Sequence, residues 1–266
     1  MNSSQLFRTL HTADQPLVLV NAWDVASARI VEAAGATAIA TTSAGVAWSL
    51  GAPDGDALGR DLAVDLVTRI VAAVSVPVTA DIESGFGETP DDVANTVRAI
   101  VDAGAVGVNI EDALHDGAGP LRDVDEQCAR LAAARAAAGI PLYINARVDT
   151  YLRGVGGVEE TVARATAYLA AGADGIFVPG VADPDTIAAL VAAIPAPLNI
   201  LAGPGSPSVP ELAKLGVARV SLGSSVAQAA YAVAQRAAAE AYATGTYAAL
   251  TDSLDYGALN ALLHRP

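Results

Sequence analysis

Short apolar runs recur along the chain, each followed by a polar or glycine-containing turn and then an alanine-rich stretch with helical spacing. They predict strands over residues 17–21, 37–42, 76–82, 106–110, 142–147, 175–179, 198–201 and 219–222. Ala34-Gly35-Ala36, Ala103-Gly104-Ala105, Ala171-Gly172-Ala173 and Leu215-Gly216-Val217 each precede a strand, where glycine suits the left-handed cap that ends a helix. Asp24, Thr89-Pro90-Asp91, Asp183-Pro184 and Ser208 stand where helices should begin. Eight βα units with near-continuous apolar strands favour an α/β fold closed as a (β/α)8 TIM barrel over an open doubly wound sheet.

The 266 residues suit a single barrel domain, 1–266, with 244–266 as a C-terminal helical extension. Hydrophobic residues make up 53% of the chain and no apolar run approaches a membrane span, so no membrane partner is expected. The first twenty residues lack the pattern of a secretion signal, which points to a cytoplasmic location. The lone cysteine, Cys128, excludes an internal disulfide and reads as a packed thiol. A formal charge of −14, with Lys214 the only lysine, argues against nucleic acid as a partner. It also means that a small anionic substrate needs a local positive field from an arginine, a metal or oriented amides.

Active sites of such barrels lie at the carboxyl ends of the strands, and here those ends are acidic. The third strand ends Asp81-Ile82-Glu83-Ser84-Gly85-Phe86-Gly87, and the fourth ends Asn109-Ile110-Glu111-Asp112. Alternation lets Asp81 and Glu83 share the barrel mouth, and clustered buried carboxylates call for a hard divalent ion. Magnesium, or manganese in its place, would bind Asp81 directly, with Glu83 and Glu111 holding coordinated water; otherwise these acids cap helices or pair with arginines. Arg147 closes the fifth strand, where its planar fork can grip a substrate carboxylate or neutralise Glu83 or Asp149. Thr41-Thr42-Ser43-Ala44-Gly45 offers backbone amides to a carbonyl or carboxylate oxygen. About sixteen residues separate that turn from the next helix, and a compact loop among them can bring Asp54 over the site. His115, in a glycine-rich candidate lid, has the right intrinsic pKa for proton transfer near neutrality, or is simply a solvated loop histidine. His11 and His264, near the termini, carry no expected role.

Together these segments resemble the isocitrate lyase / phosphoenolpyruvate mutase superfamily over residues 18–229. Asp81-Ile82-Glu83-Ser84-Gly85-Phe86-Gly87 looks like that family's Asp-Ala-Asp-Thr-Gly-(Tyr/Phe)-Gly metal segment. Glu111-Asp112, Ala146-Arg147-Val148 and Leu50-Gly51-Ala52-Pro53-Asp54 follow in the family's order and approximate spacing. The resemblance implies that Asp81, Glu83 and Glu111 surround magnesium, and that Asp54 supports its waters. It further implies that Thr42 and Ser43 hold the 2-oxo acid group, that Arg147 grips the substrate, and that subunits exchange the last barrel helix in a homotetramer or homodimer.

Departures restrict the chemistry. The lyases' Lys-Lys-Cys-Gly-His type loop is replaced by Ala113-Leu114-His115-Asp116-Gly117-Ala118-Gly119, and the mutase's loop lysine and strand-six histidine are missing. Glu83 stands where aspartate is usual, and Thr42-Ser43 replaces Ser-Gly. The expected function is a magnesium-dependent enzyme acting on a small anionic 2-oxo acid through a pyruvate-type enolate, as a C–C lyase or decarboxylase, with Arg147, Glu111 and His115 as the catalytic set. The alternatives are a P–C bond enzyme (phosphonopyruvate hydrolase, or a phosphoenolpyruvate or carboxyphosphonoenolpyruvate phosphonomutase), a phosphate-binding barrel using the loops at 202–206 and 222–225, and a 2-oxo acid binding protein without turnover. The tail residues Tyr242, Tyr247, Leu250, Leu254, Tyr256, Leu259, Leu262 and Leu263 are too apolar for a free extension and favour cover by a second subunit or by the chain's own barrel.

Overall fold

Alternation along each strand sorts its side chains between two environments. Val108 and Ile110, Ile144 and Ala146, Ile176 and Val178 pack outward with Ile100, Leu131, Tyr168 and Leu190 of the surrounding helices. Asn109, Asn145 and Arg219 point inward, where Asn109 Oδ1 accepts from Asn145 Nδ2 at 3.0 Å and from Arg219 Nη2 at 3.2 Å. In a computed structural model describing residues 2–12, 14–115 and 117–264, the strands are β1 (Leu17–Leu19), β2 (Ile39–Ala40), β3 (Val78–Asp81), β4 (Gly107–Glu111), β5 (Tyr143–Arg147), β6 (Gly175–Val178), β7 (Leu198–Leu201) and β8 (Arg219–Ser221). All pair in parallel in the order β1-β8-β7-β6-β5-β4-β3-β2. A parallel bridge between Ala22 and Thr41 closes the circle between β1 and β2, so the architecture is the expected (β/α)8 barrel.

The anticipated caps are present. Gly35, Gly104, Gly172 and Gly216 adopt φ of 102°, 93°, 110° and 91°, and Asp24, Thr89, Asp183 and Ser208 begin helices. The paired strands are shorter than predicted, most of all β2, because the chain leaves the sheet at Thr42 directly into a helix, Ser43–Ser49. That helix occupies the start of what the sequence suggested as loop, since Ala44, Val46 and Ala47 bury well in a crowded corner.

An N-terminal helix, Ser3–Thr9, closes the bottom of the barrel. Phe7 inserts so closely that a Cβ on Gly107 would lie 2.8 Å from its ring. Arg8 binds Asp174 at 2.8 Å. His11 stacks on Tyr143 with ring centroids 3.9 Å apart, and its Nδ1 lies 2.9 Å from Phe7 O.

At the other terminus the helix Ser225–Thr244 buries only Ala227 of its twenty residues, unlike the barrel helices before it. Beyond the turn Ala248–Leu250, a last helix, Tyr256–Leu263, lies against the helix Val25–Ala33, where Arg29 Nε donates to Leu262 O at 3.1 Å. Tyr242, Tyr247, Leu254 and Tyr256 remain 65–91% exposed. Among the described residues no helix is long and apolar enough to cross a membrane.

Burial, assisted by Arg219, lowers the His11 pKa to about 3, so the folded state holds this ring neutral where an unfolded chain would protonate it. Stability tied to His11 is therefore present above the unfolded pKa of about 6.5 and is lost as pH falls towards 3. His11→Phe keeps an aromatic ring in the stack but removes the titration. Between pH 7 and 5 the wild type is expected to lose about 2 kcal/mol more than the variant in urea unfolding.

Candidate active site

The strand ends deliver side chains from four loops to one mouth. At the end of β3, Asp81 accepts from Ser43 Oγ at 3.2 Å and from the Ser43 amide at 3.4 Å, while its own N–H is held by Thr41 Oγ1 at 2.9 Å. Burial pushes the Asp81 carboxyl up to about 6, with Glu111 and Asp54 adding to the shift and Arg147 opposing it. Asp54 stands at the solvent side of the same group, in reach of the Ser43 hydroxyl.

Glu111, at the end of β4, is buried between two partners: Oε2 lies 2.6 Å from Arg147 Nη1 and Oε1 lies 2.7 Å from His115 Nε2. Burial works against the Glu111 charge, but these neighbours outweigh it and hold the carboxyl below its ordinary range. The Glu111 contact in turn raises the His115 pKa. Arg147 completes its fork on Asp149, with Nε at 2.6 Å and Nη2 at 3.0 Å. Of the two neutralising roles foreseen for Arg147, the Asp149 one is realised; the other carboxylate it meets is Glu111, not Glu83.

Glu83 has a different position from the one alternation suggested. Its backbone takes φ +52°, and its carboxylate accepts from the amides of Gly55, at 2.8 Å, and Asp56. Burial pushes this carboxyl up to about 8, against the hydrogen bond from Asp56 N–H. Glu83 thereby fastens the 54–56 loop. Among the described residues no three Asp, Glu, His or Cys side chains converge as a ready-made metal cluster. Thr42 is buried at the start of the Ser43–Ser49 helix with its methyl against Gly45, where an added Cβ would sit 2.8 Å away; only Ser43 of the pair reaches Asp81.

The strained turn after Glu83 has a support that the sequence reading missed. Phe86 and Asp56 also take positive φ, of 53° and 59°, which ordinary side chains rarely adopt. Arg130, wholly buried, donates to the carbonyls of Ser84 at 2.7 Å, Gly87 at 2.8 Å and Glu88 at 2.9 Å. The available signal was a charged residue on the face of the helix Val124–Ala137 that also buries Gln127, Leu131 and Ala134.

His115 packs so close to Gly55 that a Cβ there would lie 2.9 Å from Nδ1, which joins the candidate lid to the 54–56 loop; Asp116 of that lid lies outside the described residues. A cavity of about 810 Å³ is lined by Asp56, Arg60, Ser84, Phe86, His115 and Arg122, and Asp81 is not part of its wall. In the loop after β8 the amides of Leu222 and Gly223 already donate to Asn21 Oδ1 at 3.1 and 2.9 Å.

The sequence profile of the family described as phosphoenolpyruvate phosphomutase matches residues 7–242. The chain belongs to that family, within the isocitrate lyase / phosphoenolpyruvate mutase superfamily. A solved Burkholderia cenocepacia protein described provisionally as a lyase/mutase is 41% identical over 99% of this chain and 96% of its own, with a TM-score of 0.93. The 2-methylisocitrate lyase of Escherichia coli is 36% identical over 64% of this chain, which spans 60% of that enzyme. A phosphonopyruvate hydrolase solved with oxalate and Mg2+ is 26% identical over 98% of this chain and 95% of its own, with a TM-score of 0.87. The protein is thus an enzyme of this lyase and mutase type, and its barrel mouth is the place where the family's chemistry must be sought.

Arg147 is the one cation bonded to both Glu111 and Asp149. Removing one partner of a buried ion pair leaves uncompensated charge, so Arg147→Met is expected to destabilise the metal-free protein by about 3 kcal/mol at pH 7. Urea unfolding at pH 7 and pH 5 tests this: the deficit should shrink at the lower pH, where protonation relieves the orphaned carboxylates.

Proposed function

We propose that the protein is a divalent-metal-dependent enzyme that breaks a C–C bond next to a 2-oxo acid group, as a lyase or decarboxylase, leaving a pyruvate-type enolate. The observation that carries this reading is the convergence of Asp81, Ser43, Glu111, Arg147 and His115 at one mouth, with Asp81 half-buried and, among the described residues, in no ion pair. A hard ion that keeps most of its waters needs only one or two direct carboxylates, and Asp81 with Asp54 beside it suits that demand. The three-acid set of Asp81, Glu83 and Glu111 is revised accordingly: Asp81 is the direct ligand, Asp54 and Glu111 support it, and Glu83 holds the loop. Magnesium is the expected ion, with manganese as a substitute.

A divalent ion held at Asp81 supplies Lewis-acid compensation for charge that builds on the 2-oxo oxygen. The chain's own residues do the remainder. Ser43 orients the 2-oxo acid through its hydroxyl, Thr42 shapes the wall beneath it, and Arg147 fixes Glu111 and adds positive potential to the acidic rim. His115, bonded to Glu111 through Nε2 and with its pKa raised by that contact, is the side chain that returns a proton to the enolate carbon after the bond has broken. The cysteine and lysine loops of related lyases and mutases are absent here, which leaves His115 as the acid/base side chain nearest to Glu111. Likeness to 2-methylisocitrate lyase, at 36% identity, and to oxaloacetate decarboxylase, at 34%, supports the C–C reading, while a solved protein described provisionally as a phosphonomutase, at 47%, keeps a P–C bond enzyme as the alternative.

The assembly is proposed to be a homodimer or homotetramer. The nearly unburied helix Ser225–Thr244 and the exposed aromatic residues after it favour docking of this segment on a second copy.

Calorimetry should show magnesium affinity falling at least ~10-fold in Asp81→Ala, since the one direct carboxylate is removed. A turnover screen with oxaloacetate, methylisocitrate, isocitrate, malate-type acids and phosphonopyruvate should give metal-dependent release of carbon dioxide or a carbonyl acid; inorganic phosphate as the product, or full activity in EDTA, would reverse the assignment. Deleting the chain after Ala243 should yield smaller species in light scattering, whereas an unchanged assembly would refute exchange of the tail.

A further inference from the structure

The arginines around the mouth differ in what they bind. Arg147 has its fork on Asp149 and Glu111, Arg60 pairs with Asp61, and Arg122 pairs with Glu126. Arg153 has no such partner. It closes the one-turn helix Thr150–Arg153, which follows β5 and is ended by Gly154 in the left-handed region at φ 65°. Its Nη2 donates to the Nδ1 of His115 at 3.2 Å, and no carboxylate among the described residues lies within ion-pair distance of it.

That environment is unusual on this chain. With 29 acidic residues against 15 basic ones, carboxylates are abundant, and a guanidinium favours them strongly over a neutral ring nitrogen. Arg153 is nonetheless exposed, and among the described residues its side-chain hydrogen bond goes to the group that bonds Glu111. A continuous row therefore runs Asp149, Arg147, Glu111, His115, Arg153 from the buried rim to the solvent edge. The inner end sets two carboxylates against one guanidinium, and the outer end presents the guanidinium of Arg153.

We propose that Arg153 recognises the second acidic group of the substrate and so selects four-carbon or longer 2-oxo diacids over simple 2-oxo acids. This rests on the functional reading above, in which the 2-oxo acid end of the substrate lies at Ser43 and Asp81. Arg153, bonded to His115 on the side away from Glu111, is then the guanidinium offered to the far end of such a molecule, and among the described residues it is bound to no carboxylate. The planar fork exchanges one neutral acceptor for two charged oxygens as the substrate arrives.

The test is calorimetry on the magnesium-loaded protein with two probes: oxalate, which fills only the 2-oxo acid end, and 3,3-difluorooxaloacetate, which adds a distal carboxylate. Arg153→Gln should bind the diacid ~10- to 100-fold more weakly than wild type while oxalate affinity changes less than ~2-fold, and Arg153→Lys should recover part of the loss. Equal weakening of both probes, or of neither, overturns the assignment of Arg153, as does wild-type binding of oxalate without any preference for the diacid. A wild type that fails to bind oxalate overturns the functional reading, and this inference with it.

Discussion

One guanidinium, that of Arg147, lies between the buried carboxylates of Glu111 and Asp149, and the chemistry of the mouth depends on it. Without that cation three strand ends would bring like charges together in a poorly solvated space. With it, Glu111 remains ionised and can hold His115, while Asp81 is left, among the described residues, without an ion pair of its own. The division of labour among the acids follows from which of them reaches Arg147, and β4–β5 pairing sets that by placing Glu111 directly beside Arg147.

Adjacent to this row lies a second, mechanical device. The segment after β3 bends through positive φ at Glu83 and Phe86, and the 54–56 loop meets it through Glu83, Ser84 and Asp56. Such conformations persist only where surrounding contacts over-determine them. Arg130 from below, and Thr96 Oγ1 on the Gly85 carbonyl at 2.7 Å, supply those contacts. The loop that carries Asp54 is thus held by a framework whose parts lie far apart in the chain.

Much of this was legible beforehand. Eight strands, the glycine exits and the capped entries are local or periodic features, and the structure contains them all, with the strands shorter than the apolar runs that predicted them. Asp81, Glu111, Arg147, His115, Ser43 and Asp54 do come together, because the barrel gathers all strand ends at one face whatever the helices between them contain. The placement of Glu83 departs from the expected alternation for a definite reason: alternation holds only while the chain remains a strand, and β3 ends at Asp81. The short helix after Thr42 was hidden for the same reason, since small residues in sequence suit a turn and a buried helix alike.

Sequence by itself determined the period, the caps, the closed barrel and the acidic rim, since those depend on neighbours within a few residues or on a repeat of one unit. Only the tertiary structure decided which carboxylate meets which cation. That Arg147 serves Glu111 and Asp149, that Arg130 supports a turn more than forty residues away, and that Arg153 reaches a histidine instead of an acid are matters of a few ångströms between distant segments. Coulomb and hydrogen-bond energies change steeply over such distances, and residue spacing along the chain does not encode them.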